Sequence, residues 1–179
     1  VEATIRQVAE HGWDRVTTRS IARAASANQA LINYHFGSKE GLMRAALELA
    51  LRHAFAEPLQ AMLAAPSFAD GAAALLDGLR TMDMAEPHNR FTMEALARAP
   101  REEELRRVMA DLLAELRAML ASGILDAQRR GEIPPSVDPT GTAALLGAAF
   151  DGLGLHLLID PSLDIAPAVA AVRGMLTRT

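Results

Sequence analysis

Cysteine is absent from the 179 residues, which removes disulfides, thiolate nucleophiles, cysteine-ligated zinc and thiol redox sensing together. That absence fits a reducing, cytoplasmic compartment. Aromatics are scarce, with one Trp, one Tyr and five Phe, and lysine occurs only once, at Lys39. A positive net charge is also missing: the formal value is −4, which excludes a protein that coats nucleic acid or anionic membrane with its whole surface. No stretch alternates with period two and β-branched enrichment, so strands are not expected. Half of the residues are hydrophobic, enough to offset the entropy of ordering and to build a core.

The opening run VEATIRQVAEHG is amphipathic and lacks the pattern of a signal peptide. It carries no initiator Met, so the reading expects residues ahead of Val1. The longest apolar stretch, residues 141–160, nearly matches the roughly 20 residues of a membrane crossing. Asp151 and His156 interrupt it, and ionisable groups are costly in lipid. The expectation is a helix buried on most sides inside protein, with no membrane span.

What remains is helical punctuation from end to end. Val1, Ile5, Val8 and Ala9 form a stripe that closes at Gly12. Thr17 or Thr18 can cap a short second helix with Ile21, Ala22 and Ala25 inward, and Asn28 can cap a third with Ile32 and Phe36 on one face. Gly37 breaks the third helix, and Ser38 can cap a fourth that turns Leu42, Met43, Ala46, Leu47 and Ala50 inward until Pro58 kinks or ends it. Beyond that, prolines divide the chain into helical lengths. The most regular is 102–130, and Asp138-Pro139 starts another with a cap and a proline at the first turn. The fold class is all-α: an N-terminal three-helix head over residues 1–48 and a helical bundle over 49–179.

Two short helices joined by a tight turn, the second of them polar, describe a helix-turn-helix at residues 17–42. The runs GWDRVTTRSIARAA, NYHF and GSKEGL, in that order and spacing, resemble the N-terminal domain of the TetR (tetracycline-repressor-like) family of bacterial transcription regulators. With Ile21, Ala22, Ala25, Ile32 and Phe36 packing the head, Gln29, Ala30, Leu31 and Asn33 are left on the outer side of the third helix. Gln and Asn can pair with adenine N6 and N7, and Ala and Leu can touch a thymine methyl. Arg19 can reach guanine or a phosphate, while Tyr34, His35 and Lys39 suit phosphate contacts that set register. Together with Thr17, Thr18 and Asn28, these are the positions that the resemblance assigns to the DNA face. Thr17 and Thr18 also fit as caps alone, and His35 as a solvated side chain. Trp13 is expected in the core.

The chain departs from the family pattern at Ser26, where the turn usually carries glycine, and at Asn33, where an aromatic is common. Charge divides in the same way as the domains. Residues 1–48 carry six basic groups against five acidic, and the remainder carries 12 against 17.

The body reads as a dimerisation and ligand-binding domain. Small residues along 138–159 (Gly141, Ala144, Gly147, Ala148, Gly152, Gly154) permit close helix approach, and 164–177 is apolar through Ile165, Val169, Val172, Met175 and Leu176. These segments match the four-helix homodimer interface that the resemblance implies, against the plainer reading of a monomer core. The runs FTMEALARA and DGLGLHLLIDP resemble the body of the betaine-regulator-type branch. Met84, His88, Phe91, Glu94, Met119, Phe150 and His156 are the candidate ligand-binding residues, with Met82 and Met93 beside them, because methionine adapts a cavity to varied ligands and a few polar groups orient them. Methionine at helical spacing equally suits plain packing.

No catalytic constellation emerges. His53 and Glu57 stand i, i+4 with no further metal ligand implied by spacing, so neither a metal nor another cofactor is expected. GSKEG lacks phosphate-loop spacing, and Glu102-Glu103-Glu104 suits a helix N-terminus. The reading is a homodimeric regulator, most simply a repressor, that binds a palindromic double-stranded operator and is released by an unidentified small molecule. A helical adaptor or a small α-helical enzyme on the same fold is the alternative.

Overall fold

A computed structural model describes residues 1–83 and 85–177. Among these residues there are nine α-helices and no strand. They are α1 (Glu2–His11), α2 (Thr18–Ala24), α3 (Gln29–Phe36), α4 (Lys39–Ala64), α5 (Phe68–Asp77), α6 (Pro87–Arg98), α7 (Glu103–Arg129), α8 (Pro139–Ile159) and α9 (Ala166–Thr177), with short 3₁₀ turns after α1, α5 and α6.

Side-chain caps decide where the helices begin. Thr17 is the cap of α2: its hydroxyl accepts from Ser20 N–H at 3.1 Å while the Thr17 N–H donates to Ser20 Oγ at 3.0 Å, a reciprocal capping box. Asn28 Oδ1 accepts from Ala30 N–H at 2.9 Å to start α3, and Ser38 Oγ accepts from Gly41 N–H at 3.1 Å in the first turn of α4. Asp138 does the same for α8, ahead of Pro139. Each cap satisfies a backbone N–H that the helix itself leaves unpaired.

The chain forms two compact units. The first comprises Val1–Phe55 and Asp83–Asp111. Its core takes Ile5 and Val8 from α1, Ile21 and Ala22 from α2, Ile32 from α3, and Leu42, Met43, Ala46, Leu47 and Ala50 from α4, all buried as their spacing requires. Phe91 on α6 is fully enclosed and packs against Trp13, the rings tilted 35° with centroids 5.3 Å apart. Burying a side chain of that size stabilises by about 1.5–3 kcal/mol. Two stripe residues lie outside this core. Val1 precedes α1 and is exposed, and Ala25 is the exposed C-cap of α2. The turn that follows holds Ser26 at φ +50°, the left-handed region, where it is the only non-glycine among the described residues.

The second unit comprises Ala56–Met82 and Leu112–Thr179. Here α5 packs against α9 and α8, around Leu75, Leu76, Ile124, Leu146, Phe150 and Leu176. An Arg173–Asp70 pair at 2.8 Å links α9 to α5. Gly123 lets α7 approach the Phe68 ring, where a Cβ would stand 2.9 Å from Cε2.

One alternative falls and one expectation changes. Pro58 does not end α4, which continues through it to Ala64: its ring lies against Gly78, where the absent side chain leaves room for it. The helix at 139–159 is not buried on most sides. By length and composition α8 is the one described helix apolar enough to cross a membrane, yet only 22% of its apolar window is buried. One of its faces, Ala143, Leu146, Phe150 and Gly154, is buried as α8 packs on α5 and on the 3₁₀ turn that follows α5, while Leu145, Ala148, Gly152, Leu155 and Ile159 are exposed. Those five follow 3-4-3-4 spacing, which aligns them in a single seam.

Candidate nucleic-acid interface

The third helix turns most of its side chains outward. Gln29, Ala30, Leu31, Asn33, Tyr34 and His35 are all exposed, whereas Ile32 is buried against the head and Phe36 half-buried. Tyr34 is 82% exposed and Leu31 53%, high for large side chains that have a core close by. The Tyr34 and His35 rings meet edge to face at 5.1 Å. Arg19 is exposed on the first turn of α2. Thr17 and Asn28 use their side chains as caps while remaining at the surface, and Thr18 is half-buried.

Lys39 stands somewhat apart. It is half-buried at the start of α4, beside a cleft of about 340 Å³ that Trp13, Asp14, Met43, Arg98 and Leu105 also line. The Asp14 carboxyl lies below its ordinary 3.8. The hydrogen bond from Arg98 is the main cause and outweighs desolvation, and the charges of Arg98 and Lys39 add to it.

One face of α6 is joined to the head. His88 Nε2 lies 3.2 Å from Glu2 Oε2, Phe91 packs against Trp13, the Trp13 backbone N–H donates to Glu94 Oε2 at 3.1 Å, and Arg98 pairs with Asp14 and Glu102. Residues 88, 91, 94 and 98 therefore act as a row of ties to α1 and the turn after it. Three expected ligand-binding residues, His88, Phe91 and Glu94, are members of this row. Glu94 also lines an open groove with His11, Trp13 and Arg101.

Of the others, Met119, Phe150 and His156 belong to the second unit, where Met119 and His156 are exposed and Phe150 is buried. Met84 lies outside the described residues. The start of α6 is fixed by Glu86, whose Oε2 accepts from His88 N–H at 2.8 Å and Asn89 N–H at 3.2 Å. Burial opposes ionisation of Glu86, but hydrogen bonds from the His88 ring and from these two N–H groups hold its carboxyl below the ordinary range. Spacing along the chain gave no sign of Glu86 as a cap or of the ties that run from α6 to residues 2, 13 and 14.

Comparison with known proteins agrees with this geometry. The sequence profile "Bacterial regulatory proteins, tetR family" matches residues 1–46, and "BetI-type transcriptional repressor, C-terminal" matches residues 83–179. The HTH-type transcriptional regulator BetI of Rhizobium meliloti is 30% identical over 168 residues, covering 93% of this chain and 78% of that protein. The crystal structure of a TetR-family transcriptional regulator from a Rhodococcus species superposes with a TM-score of 0.83 at 26% identity, over 99% of this chain and 95% of the other. A transcriptional regulator from Saccharomonospora viridis, solved in complex with choline, shares the fold at 22% identity, with a TM-score of 0.67 over 98% of this chain and 90% of its own.

Proposed function

Because the chain belongs to the tetR family of bacterial regulatory proteins, with a BetI-type C-terminal body, and is a transcription regulator rather than an enzyme, we propose that it acts as a cytoplasmic homodimeric repressor released from its operator by a small molecule. The observation that carries this reading is the outer face of α3, where Gln29, Ala30, Leu31 and Asn33 stand exposed on a helix anchored by buried Ile32. In this reading residues 1–48 form the DNA-binding domain and 49–179 the dimerisation and ligand-binding domain. Arg19, Gln29, Ala30, Leu31 and Asn33 meet base edges, while Thr17, Thr18, Asn28, Tyr34, His35 and Lys39 hold the backbone.

A single head covers too few base pairs for tight specific binding, and two heads enter successive major grooves about 34–36 Å apart. The second copy docks on the exposed seam of α8 and on the apolar residues of α9. Ala148 and Gly152 let the two backbones approach there, and a Cβ added at Gly152 would have no neighbour within 4 Å among the described residues. The effector acts by favouring a conformer whose heads no longer match that spacing. The ties from α6 to Glu2, Trp13 and Asp14 give the head its dependence on the state of α6. Choline, the ligand of the Saccharomonospora neighbour, is the first effector to try.

The experiment is selection of operators from random duplex DNA with the full chain, followed by anisotropy titration. An inverted repeat bound by two chains, with half-sites about one helical turn apart, is the expected result. Enrichment of a single unpaired half-site, or of no sequence, would overturn the dimeric-repressor reading. Choline titrated into the complex then lowers operator affinity; no change at any concentration rejects choline as the effector.

A further inference from the structure

Three side chains outside the DNA-binding face converge at the start of α6. His53 of α4, Glu86 and His88 each offer a ligand atom, and these atoms all lie within 4.8 Å of one another. His88 Nδ1 is 2.6 Å from Glu86 Oε1, and His53 Nε2 is 3.9 Å from Glu86 Oε2. The two imidazole rings stack with centroids 4.2 Å apart and planes 21° from parallel. His53, expected from spacing to have only Glu57 near it, thus finds its neighbours more than thirty residues along the chain.

The other nitrogen of His88 is also engaged: its Nε2 lies 3.2 Å from Glu2 Oε2. A histidine that ligates a metal characteristically donates its second ring N–H to a carboxylate, which fixes the tautomer and raises the basicity of the ligating nitrogen. Glu2 supplies that carboxylate. Glu86 is held in turn by the two backbone N–H groups it caps through Oε2, which leaves Oε1 directed at His88.

We propose that His53, Glu86 and His88 form a site for a first-row divalent cation, with zinc as its best-matched member and Glu2 as the positioning carboxylate behind His88. Two imidazoles and one carboxylate match the nitrogen–oxygen ligand sets of zinc and disfavour magnesium and calcium, which take oxygen ligands. Zinc bonds of about 2.0–2.2 Å place tetrahedral ligands roughly 3.4 Å apart, between the 2.6 Å of the His88–Glu86 pair and the 4.8 Å that encloses all three ligand atoms. The ion enters between His88 Nδ1 and Glu86 Oε1, which part slightly to admit it, and the exposed His53 turns a short way to close on it. The fourth position stays open to water. An occupied site fastens α4 to the first turn of α6 and, through Glu2, to the start of α1.

The test uses the full chain, stripped with a chelator and titrated with zinc chloride against a chromophoric zinc indicator. One zinc per chain is expected, with magnesium and calcium failing to compete. Glu2→Gln is expected to weaken zinc by about 10–100-fold, and His53→Ala and His88→Gln by more than that. His156→Ala leaves affinity unchanged. Absence of zinc uptake by the unsubstituted chain overturns the proposal, and so does wild-type affinity in His53→Ala. His53 is exposed, so its variant remains decisive should His88→Gln fail to fold, with helicity by circular dichroism as the check.

Discussion

Both units expose large apolar or aromatic side chains, but in different company. In the first unit these are Val1, Leu31 and Tyr34, and the latter two stand on α3 among Gln29, Asn33 and His35. In the second they include Leu145, Leu155, Leu158, Ile159 and Met175, on α8 and α9, with alanine and glycine between them. A surface that mixes hydrogen-bonding amides with a few apolar contacts suits the edges of bases, which offer donors, acceptors and a methyl group. A seam of aliphatic and small residues offers no such code and suits an apolar helix packed closely against it. What surrounds an exposed leucine therefore says more about its partner than the exposure itself.

The largest effect expected from this contrast is on α8. Leu155→Glu places a charge in the middle of the seam and is expected to weaken self-association by about 2–4 kcal/mol, the range for a central interface residue. Sedimentation equilibrium measures it, and a dimer constant equal to wild type would break the comparison. On the α3 side, Gln29→Ala and Asn33→Ala are expected to cost about 1–3 kcal/mol each at one or two base pairs while sparing self-association. Repeating the operator selection with each variant reads this, and an unaltered preferred site refutes the base-reading role. Lys39→Ala is expected to weaken binding to all sequences alike and to lower the slope of log affinity against log salt by about 0.9. An unchanged slope in a salt titration would assign Lys39 to the Asp14 cleft alone.

The smallest effect concerns the turn. Ser26 sits at φ +50°, where an L-residue pays about 1–2 kcal/mol and glycine pays none, although glycine gives back part of this as unfolded-state entropy. Ser26→Gly is expected to stabilise the chain by about 0.5–1 kcal/mol in thermal melts, without altering operator preference.

The head was readable because its signals are local. The caps at Thr17, Asn28 and Ser38 bond within three residues of themselves, and Ile21, Ile32, Leu42 and Leu47 are inward wherever their spacing says so. Adjacent threonines are equivalent in sequence, since either Thr17 or Thr18 can supply the hydroxyl, and the fold uses Thr17. The open face of α8 was not readable, because a helix rich in Ala, Gly and Leu has the same composition whether its second face meets its own chain or another. The ties of α6 were hidden for a different reason. His88, Phe91 and Glu94 carry the residue types of a pocket, and only the path of the chain brings Glu2 and Trp13 against them. The grouping of His53 with Glu86 and His88 depends on the same long-range approach.

Trp13 is the only tryptophan in the sequence, and its ring rests on Phe91 of α6. The protein thus carries its own optical gauge. Light emitted on indole excitation originates from one place, the seat of the head against α6, with no background from elsewhere in the chain. Any molecule that shifts that seat will announce itself in emission wavelength or quenching, with no label attached and no DNA present.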